Sequence, residues 1–394
     1  MLVPEGHRRR SVAVASGGSR AVYFDRVGLG VLSDGLAPTP PMGWNSWNRF
    51  GPFLSERLVL ETADALVESG MRDAGYRYVV VDDAWHESAR NDDGDLVENR
   101  WAFPRGMRNL ADEIHRRGLS FGLYTDAGTR TCQGYPASLG NEARDAQRFA
   151  DWGVDFMKVD WCHTAGLRGR TTYPKWTEAI RATRRPMVLS ICEWSRDKPW
   201  EWAGSVGHMW RTTSDIADTW ASVMDIAARQ ADLHEYAGPD HWNDPDMLEV
   251  GNGGMSDEEY RTHFSLWAML AAPLVAGNDV RAMSEGARAI LTAPEVLAVD
   301  QDPRGSQARR VRRDDVSEVW ARPLADGTHA VLLVNRGDAR ANVVARWDEV
   351  LDAKGSRRGN VRDLWERADV GERDGYYDRT LAPHACALVK VAFT

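Results

Sequence analysis

The residues best suited to chemistry are Lys158 and Asp160, at the end of the apolar run 154–159. That run reads as a short buried strand. Side chains on a strand alternate faces, so Lys158 and Asp160 point the same way. In a closed parallel barrel the shared face is the interior, and a carboxylate at the C-terminal end of such a strand stands where barrel enzymes keep their chemistry. A cation two residues away holds that carboxylate ionised, as a nucleophile requires. The competing reading is a surface Lys–Asp pair. Recurrence separates the two: Trp47, Asp82 and Asp83, Tyr124 and Asp126, Glu193, Arg211 and Asp215, and Asp246 each follow a further apolar segment. Taken singly, an Asp after a strand is as well explained as a helix N-cap. Gathered at one mouth, carboxylates, cations and aromatic walls are what a neutral polyol substrate demands.

The elements that must position these residues alternate in type. Helical periods over 55–67, 107–117, 141–152, 173–183, 221–233, 257–270 and 284–291 are interleaved with strand-like runs at 42–47, 78–81, 119–124, 154–160, 187–192, 208–210 and 274–276, and a weak strand before 241–246. This rhythm predicts an α/β fold, a (β/α)8 TIM barrel over 38–301. A doubly wound sheet is the alternative, but no early G-x-G-x-x-G supports a dinucleotide domain. Beyond 302, short strands at 317–322, 328–335, 341–347 and 385–392 between Gly and Asp turns predict a small C-terminal antiparallel β domain, a β-sandwich over 302–394. Residues 1–37, with clustered Gly, Ser and Arg, read as a poorly structured extension with one short strand at 21–24.

The bulk properties exclude several classes. A net charge of −9 over 394 residues and a pI near 5.6 argue against a nucleic-acid partner. A mean hydropathy of −0.47 without a long apolar run argues against a membrane partner. Seventeen Trp fit either carbohydrate stacking or an aromatic core. The four Cys form no C-x-x-C pair, and neither a metal nor a cofactor is called for. The N-terminal stretch has no apolar segment of useful length, which predicts a cytoplasmic protein, although Arg8–Arg10 keep a degenerate twin-Arg signal open. A homo-oligomer is left open.

Several motifs occur in a specific order: Pro41-Met-Gly-Trp44-Asn-Ser-Trp47, Val81-Asp-Asp-Ala-Trp85, Leu123-Tyr-Thr-Asp126, Lys158-Val-Asp160-Trp-Cys162, Cys192-Glu-Trp194, Trp210-Arg211 with Asp215, and Trp242-Asn-Asp-Pro-Asp-Met247. Together they resemble glycoside hydrolase family 27, the family of α-galactosidases (melibiases) and α-N-acetylgalactosaminidases, across residues 38–394. The resemblance implies a retaining mechanism with Asp160 as nucleophile and Asp215 as acid/base, their carboxyl groups ~5–5.5 Å apart. It assigns Lys158 and Arg211 to hydroxyl binding and to keeping Asp160 anionic. Asp82 and Asp83 match residues on the 4- and 6-hydroxyls, with support from behind as the alternative for Asp83. Trp47 and Tyr124 match the pocket wall, and Asp246 the 2-hydroxyl side. Cys132 and Cys162 match a disulfide at the rim, with two free thiols as the other reading. Cys192 matches a half-cystine that lacks its partner here, which implies a buried thiol.

Within that family, Glu193 is expected to fill the space of a 2-acetamido group and accept from a free 2-hydroxyl, favouring galactose over N-acetylgalactosamine. The Asp82–Asp83 pair favours galactose over L-arabinopyranose, which lacks the 6-hydroxymethyl group. Two departures bear on the aglycone. Trp161 stands where the family carries a small or amide residue; its ring is expected near the +1 subsite, the alternative being packing against the loop after strand three. The loop 195–199, Ser-Arg-Asp-Lys-Pro, is more charged than its family counterpart. The sequence thus predicts an exo-acting retaining α-galactosidase with a terminal α-galactoside as partner. The runner-up is a β-L-arabinopyranosidase, and the rival from another class is an inactive carbohydrate-binding barrel.

Overall fold

In the computed structural model, the described residues are 24–26, 29–353 and 357–394. Eight parallel strands form one sheet: β1 (Met42–Asn45), β2 (Tyr78–Val81), β3 (Ser120–Asp126), β4 (Phe156–Asp160), β5 (Val188–Ile191), β6 (Met209–Arg211), β7 (Trp242–Asp244) and β8 (Leu274–Ala276). The sheet order is β8-β1-β2-β3-β4-β5-β6-β7. The two ends meet where Leu248, just past β7, bridges Ala276 in parallel, with Leu248 N donating to the Val275 carbonyl at 2.8 Å. The strands therefore curl into a TIM barrel.

Strand parity sorts the side chains. Lys158 lies opposite Tyr124 on one side and Ser190 on the other. Val80, Phe156, Val188, Met209 and Trp242 pack as one apolar cluster, the floor of the barrel; two residues further along several of these strands stand Asp82, Lys158, Arg211 and Asp244. The alternate residues Val79, Val81, Leu123, Met157, Val159, Leu189, Ile191 and Trp210 join the larger core beneath the helices. This is the period-2 division expected of a barrel wall.

The longer helices are α1 (Glu56–Glu68), α2 (Gly106–Arg116), α3 (Glu142–Trp152), α4 (Gly169–Thr183), α5 (Trp220–Gln230), α6 (Asp257–Met269), α7 (Glu285–Leu291) and α8 (Pro294–Asp300). Their starts follow local chemistry. Ser55 and Thr219 accept from the third residue on, and Ser256 with Glu259 closes a reciprocal capping box. Between β5 and β6 the chain makes two 3-10 turns, Pro199–Glu201 and Ala203–Ser205, in place of an α-helix.

The C-terminal strands are β9 (Arg309–Arg313), β10 (Ser317–Pro323), β11 (His329–Asn335), β12 (Ala341–Arg346), β13 (Arg358–Asp363), β14 (Ala368–Asp374), β15 (Tyr376–Leu381) and β16 (Cys386–Phe393). They form an antiparallel sheet of order β9-β10-β11-β16-β13-β14 and a β12-β15 pair, with Val331, Leu333, Val343, Trp347 and Val389 in the core between them. This domain is seated on α6: Arg322 Nη1 donates to the Ala268 carbonyl (2.8 Å), Trp365 Nε1 to Ser265 Oγ (2.9 Å) and Thr262 Oγ1 to the His384 carbonyl (2.7 Å).

The described residues of the N-terminal extension pair with one another and pack on the barrel. Phe24–Arg26 and Leu29–Val31 pair antiparallel. Leu32 and Ala37 are buried, Leu32 N donates to the Gly204 carbonyl, and the Asp240 carboxylate accepts from Gly35 N and Ala37 N. Of the strand predicted at 21–24, residues 21–23 lie outside the described residues.

Candidate active site

Asp160 closes β4 and is 6% exposed. Its Oδ1 accepts from Trp161 N at 3.0 Å. Burial pushes its pKa up to about 6, and the nearby Lys158 charge opposes that rise. Lys158 itself is held by Asp82, Nζ to Oδ2 at 2.8 Å, and lies 5.3 Å from the centre of the Tyr124 ring. Asp82 Oδ2 also accepts from Asn45 Nδ2 at 2.6 Å, while Asn45 Oδ1 accepts from Trp47 N. One carboxylate on β2 thus ties together the Lys of β4 and the turn that carries Trp47.

On the other side, Arg211 at the end of β6 is buried among carboxylates. Its Nη2 lies 2.9 Å from Asp215 Oδ1 and 2.7 Å from Asp246 Oδ2. Asp246 has φ +90°, and its oxygens accept from Ile216 N and Met247 N. The Asp215 side chain, by contrast, is 68% exposed. Burial raises its pKa, but the Arg211 charge and hydrogen bond outweigh burial and hold it below the ordinary carboxylate value.

Cys132 and Cys162 are joined by a disulfide that spans 30 residues of sequence. The Cys132 sulfur is 3.6 Å from Asp160 Oδ2, and the Tyr124 hydroxyl donates to it at 3.6 Å. Behind it, Asp126 accepts from Gly128 N and Cys162 N, both at 2.7 Å; burial and the Asp160 charge lift its pKa to about 8. Asp83 turns away from Asp82 toward the same loop, its oxygens accepting from Ala84 N (2.6 Å) and Gln133 N (2.9 Å).

Two sequence expectations are corrected by strand parity. Asp160 faces inward, so Trp161 faces outward: it is 5% exposed and stacks on Tyr173 of α4 with ring centres 5.3 Å apart. The ring packs in the core and does not form a +1 subsite. Cys192, which follows β5 on the inward phase, sends Glu193 out of the barrel. Glu193 has no exposed surface; its Oε2 accepts from Asp197 N at 2.7 Å and Oε1 has no partner among the described residues. A direct contact with a substrate 2-hydroxyl is closed to it in this state. It anchors the charged loop instead, in which Trp194, Ser195 and Lys198 all have positive φ.

The sequence reading also left residues out. Asn45, Asp244 (buried, its pKa raised by burial to about 6) and Cys192 all border the site. Parity alone would have found Asp244 and Cys192, since each continues the inward face of its strand. Cys192 is a free, buried thiol, as expected.

The family described as alpha galactosidase A matches residues 39–302, and its C-terminal β-sandwich domain matches 314–391. The chain belongs to glycoside hydrolase family 27. This family 27 hydrolase is 46% identical to an α-galactosidase of Cyamopsis tetragonoloba over 359 residues, which cover 91% of this chain and 87% of that one. Among solved structures, α-galactosidase I of Mortierella vinacea superposes with a TM-score of 0.88 at 38% identity, covering 91% and 98% of the two chains. An α-galactosidase of Saccharomyces cerevisiae solved with raffinose gives 0.86 at 28% identity, covering 91% and 99%. Among the described residues of the family 27 hydrolase, no helix is long and apolar enough to cross a membrane.

Proposed function

We propose that this hydrolase removes terminal α-linked galactose with retention of configuration. The observation that carries the reading is the inward layer around Asp160: a buried carboxylate at a strand end, flanked by the Lys158–Asp82 pair and by Arg211 with Asp215. The α-galactosidases to which the chain is similar over most of its length support the sugar.

In the first step the Asp160 carboxylate attacks the anomeric carbon as the bond from that carbon to the leaving oxygen breaks. Asp215 gives its proton to that oxygen, and a galactosyl ester of Asp160 is left. Asp215, now ionised, takes a proton from water; the water oxygen attacks the anomeric carbon and releases α-galactose and the Asp160 carboxylate. Asp215 is ion-paired in the ligand-free protein, so substrate must draw it off Arg211 and cover it from solvent before it can act as an acid. Lys158 and Asp82 form a donor–acceptor pair suited to adjacent sugar hydroxyls, and Arg211 with Asp246 another.

Hydrolysis of the p-nitrophenyl α-D-galactopyranoside, β-L-arabinopyranoside and α-N-acetylgalactosaminide tests the sugar. A clear preference for the galactoside is expected. Turnover favouring the arabinoside would keep the mechanism and overturn the substrate. Sugar binding without turnover of any of the three would support an inactive binding barrel.

A further inference from the structure

Two aromatic side chains stand in solvent where folding normally covers such rings. Among the described residues, Trp101 is 96% exposed and Phe53 83%, while the next large apolar side chain, Tyr376, is 50% exposed. A single exposed apolar residue is ordinary; these two lie on adjoining loops. Phe53 follows β1 and Trp101 follows β2, so both belong to the end of the barrel that carries Asp82 and Asp160. The Phe53 loop continues directly from the short helical turn Trp47–Phe50, and with it from the pocket wall.

Both loops are held firmly. Phe53 N donates to the Phe50 carbonyl at 3.0 Å, and Asn99 N to the carbonyl of Trp85, just beyond Asp82 and Asp83, at 2.8 Å. Asn99 Oδ1 accepts from Trp101 N (3.0 Å) and Ala102 N (3.1 Å). The Ala102 carbonyl accepts from Glu56 N at 2.7 Å, which ties the Trp101 loop to the start of α1. The buried Glu56 carboxylate pairs in turn with Arg105. This turn sends Phe103 fully into the core and leaves Trp101 outside. Beside Trp101 runs a shallow cleft lined by Ser55, Arg57, Glu61, Pro104 and Arg105. The Arg57 side chain is mostly exposed and lies 3.7 Å from Glu61.

We propose that Trp101 and Phe53 form an accessory carbohydrate platform on the rim, which grips the neutral backbone of a polysaccharide bearing α-galactosyl branches. The inference rests on the α-galactosidase reading for the branches alone. The C–H faces of pyranose rings stack on exposed aromatic rings, and the polar groups of the cleft meet the ring hydroxyls. A turn already held in place presents its ring at little ordering cost. The cleft carries both signs of charge, which suits a neutral chain and not a polyanion. The platform adjoins the galactose pocket without entering it. It therefore raises the effective concentration of branches at the pocket and leaves the chemistry of each cleavage alone.

The test uses β-1,4-mannohexaose, a galactose-free chain, titrated calorimetrically into wild type, Trp101→Ala and Phe53→Ala, with and without saturating galactose. Wild type is expected to bind it equally well in both conditions. Trp101→Ala is expected to weaken binding about three- to tenfold, and Phe53→Ala by less. Both substitutions lie at the surface, so Tm stays as in wild type. In parallel, kcat/KM on galactomannan falls by a similar factor in Trp101→Ala, while turnover of p-nitrophenyl α-D-galactopyranoside is unchanged. Mannohexaose that does not bind, binds both proteins alike, or is displaced by galactose would overturn the platform. So would sedimentation showing a wild-type dimer that Trp101→Ala makes monomeric, since the patch would then serve a second copy of the chain. Failure of the sugar reading looks different: the p-nitrophenyl galactoside is not turned over, yet mannohexaose still binds through Trp101.

Discussion

Asp160 and Asp215 titrate in the ligand-free protein in the order opposite to the one the first step uses. Turnover needs Asp160 ionised and Asp215 protonated, yet Asp160 is raised to about 6 and Asp215 is lowered. The fraction in the working state is then flat between the two values and falls on either side, the apparent values belonging to the pair. kcat/KM is therefore expected to be bell-shaped with an acidic optimum and an alkaline limb near pH 6. A plateau reaching past about pH 8 would show that the Arg211–Asp215 ion pair does not set the free-enzyme titration. Removing the acid alone, in Asp215→Asn, is expected to lower kcat on poor leaving groups by about 10²–10⁴-fold, with a smaller loss on p-nitrophenyl substrates, whose leaving oxygen needs little protonation. Steady-state kinetics on a series of aryl galactosides measures this directly.

At the scale of elements, much of the barrel was legible because its signals are local. Apolar runs end in Asp, Glu or Arg, and Ser55, Ser256 and Ser284 cap helices where the periodicity begins. What was not legible follows from the same geometry read one step too coarsely. Residues after a strand were gathered to one mouth, but alternation turns Trp161 and Glu193 outward while their neighbours Asp160 and Cys192 face inward, and Asp83 is held by Gln133 N in the loop that carries Cys132. In the β domain, β9, β13, β14 and β15 were missed because runs such as Arg-Arg-Val-Arg-Arg at 309–313 and Arg-Gly-Asn-Val-Arg-Asp at 358–363 carry little apolar alternation; pairing and tertiary context outweigh composition there. The corrected position of Trp161 makes a prediction. Trp161→Ala removes a buried ring that stacks on Tyr173, and is expected to cost about 3–5 kcal/mol of stability in denaturant unfolding. Its preference between short and oligomeric galactosides should stay as in wild type; a changed preference would return the ring to the aglycone path.

Over the whole molecule, the barrel concentrates buried carboxyls whose pKa values are raised, burial being the first cause in each: Asp126 to about 8, Glu193 and Glu249 to about 7, and Asp160 and Asp244 to about 6. Each binds a proton more tightly folded than unfolded. The stability it contributes is fully present below its unfolded pKa and is lost as pH rises through the folded value. Tm is therefore expected to be higher at pH 5 than at pH 8, which calorimetry at the two pH values would check; the reverse order would mean that these carboxyls are ionised in the fold. The two domains should melt together. Trp320, Leu332, Val334 and Leu388 of the β domain belong to the same core as the barrel helices, and α6 is shared between them, so a single transition is expected and two resolved transitions would contradict the shared core.

The central claim is that Asp160 bonds to the anomeric carbon of an α-galactoside. Its most direct test is peptide mass spectrometry after reaction with 5-fluoro-α-D-galactosyl fluoride, whose slow turnover lets the glycosyl-enzyme accumulate. The account predicts one added fluorogalactosyl group on the peptide containing Asp160, absent when Asp160→Asn is treated in the same way. A label on another residue, or an unlabelled enzyme that releases β-galactose first from a natural α-galactoside, would contradict it.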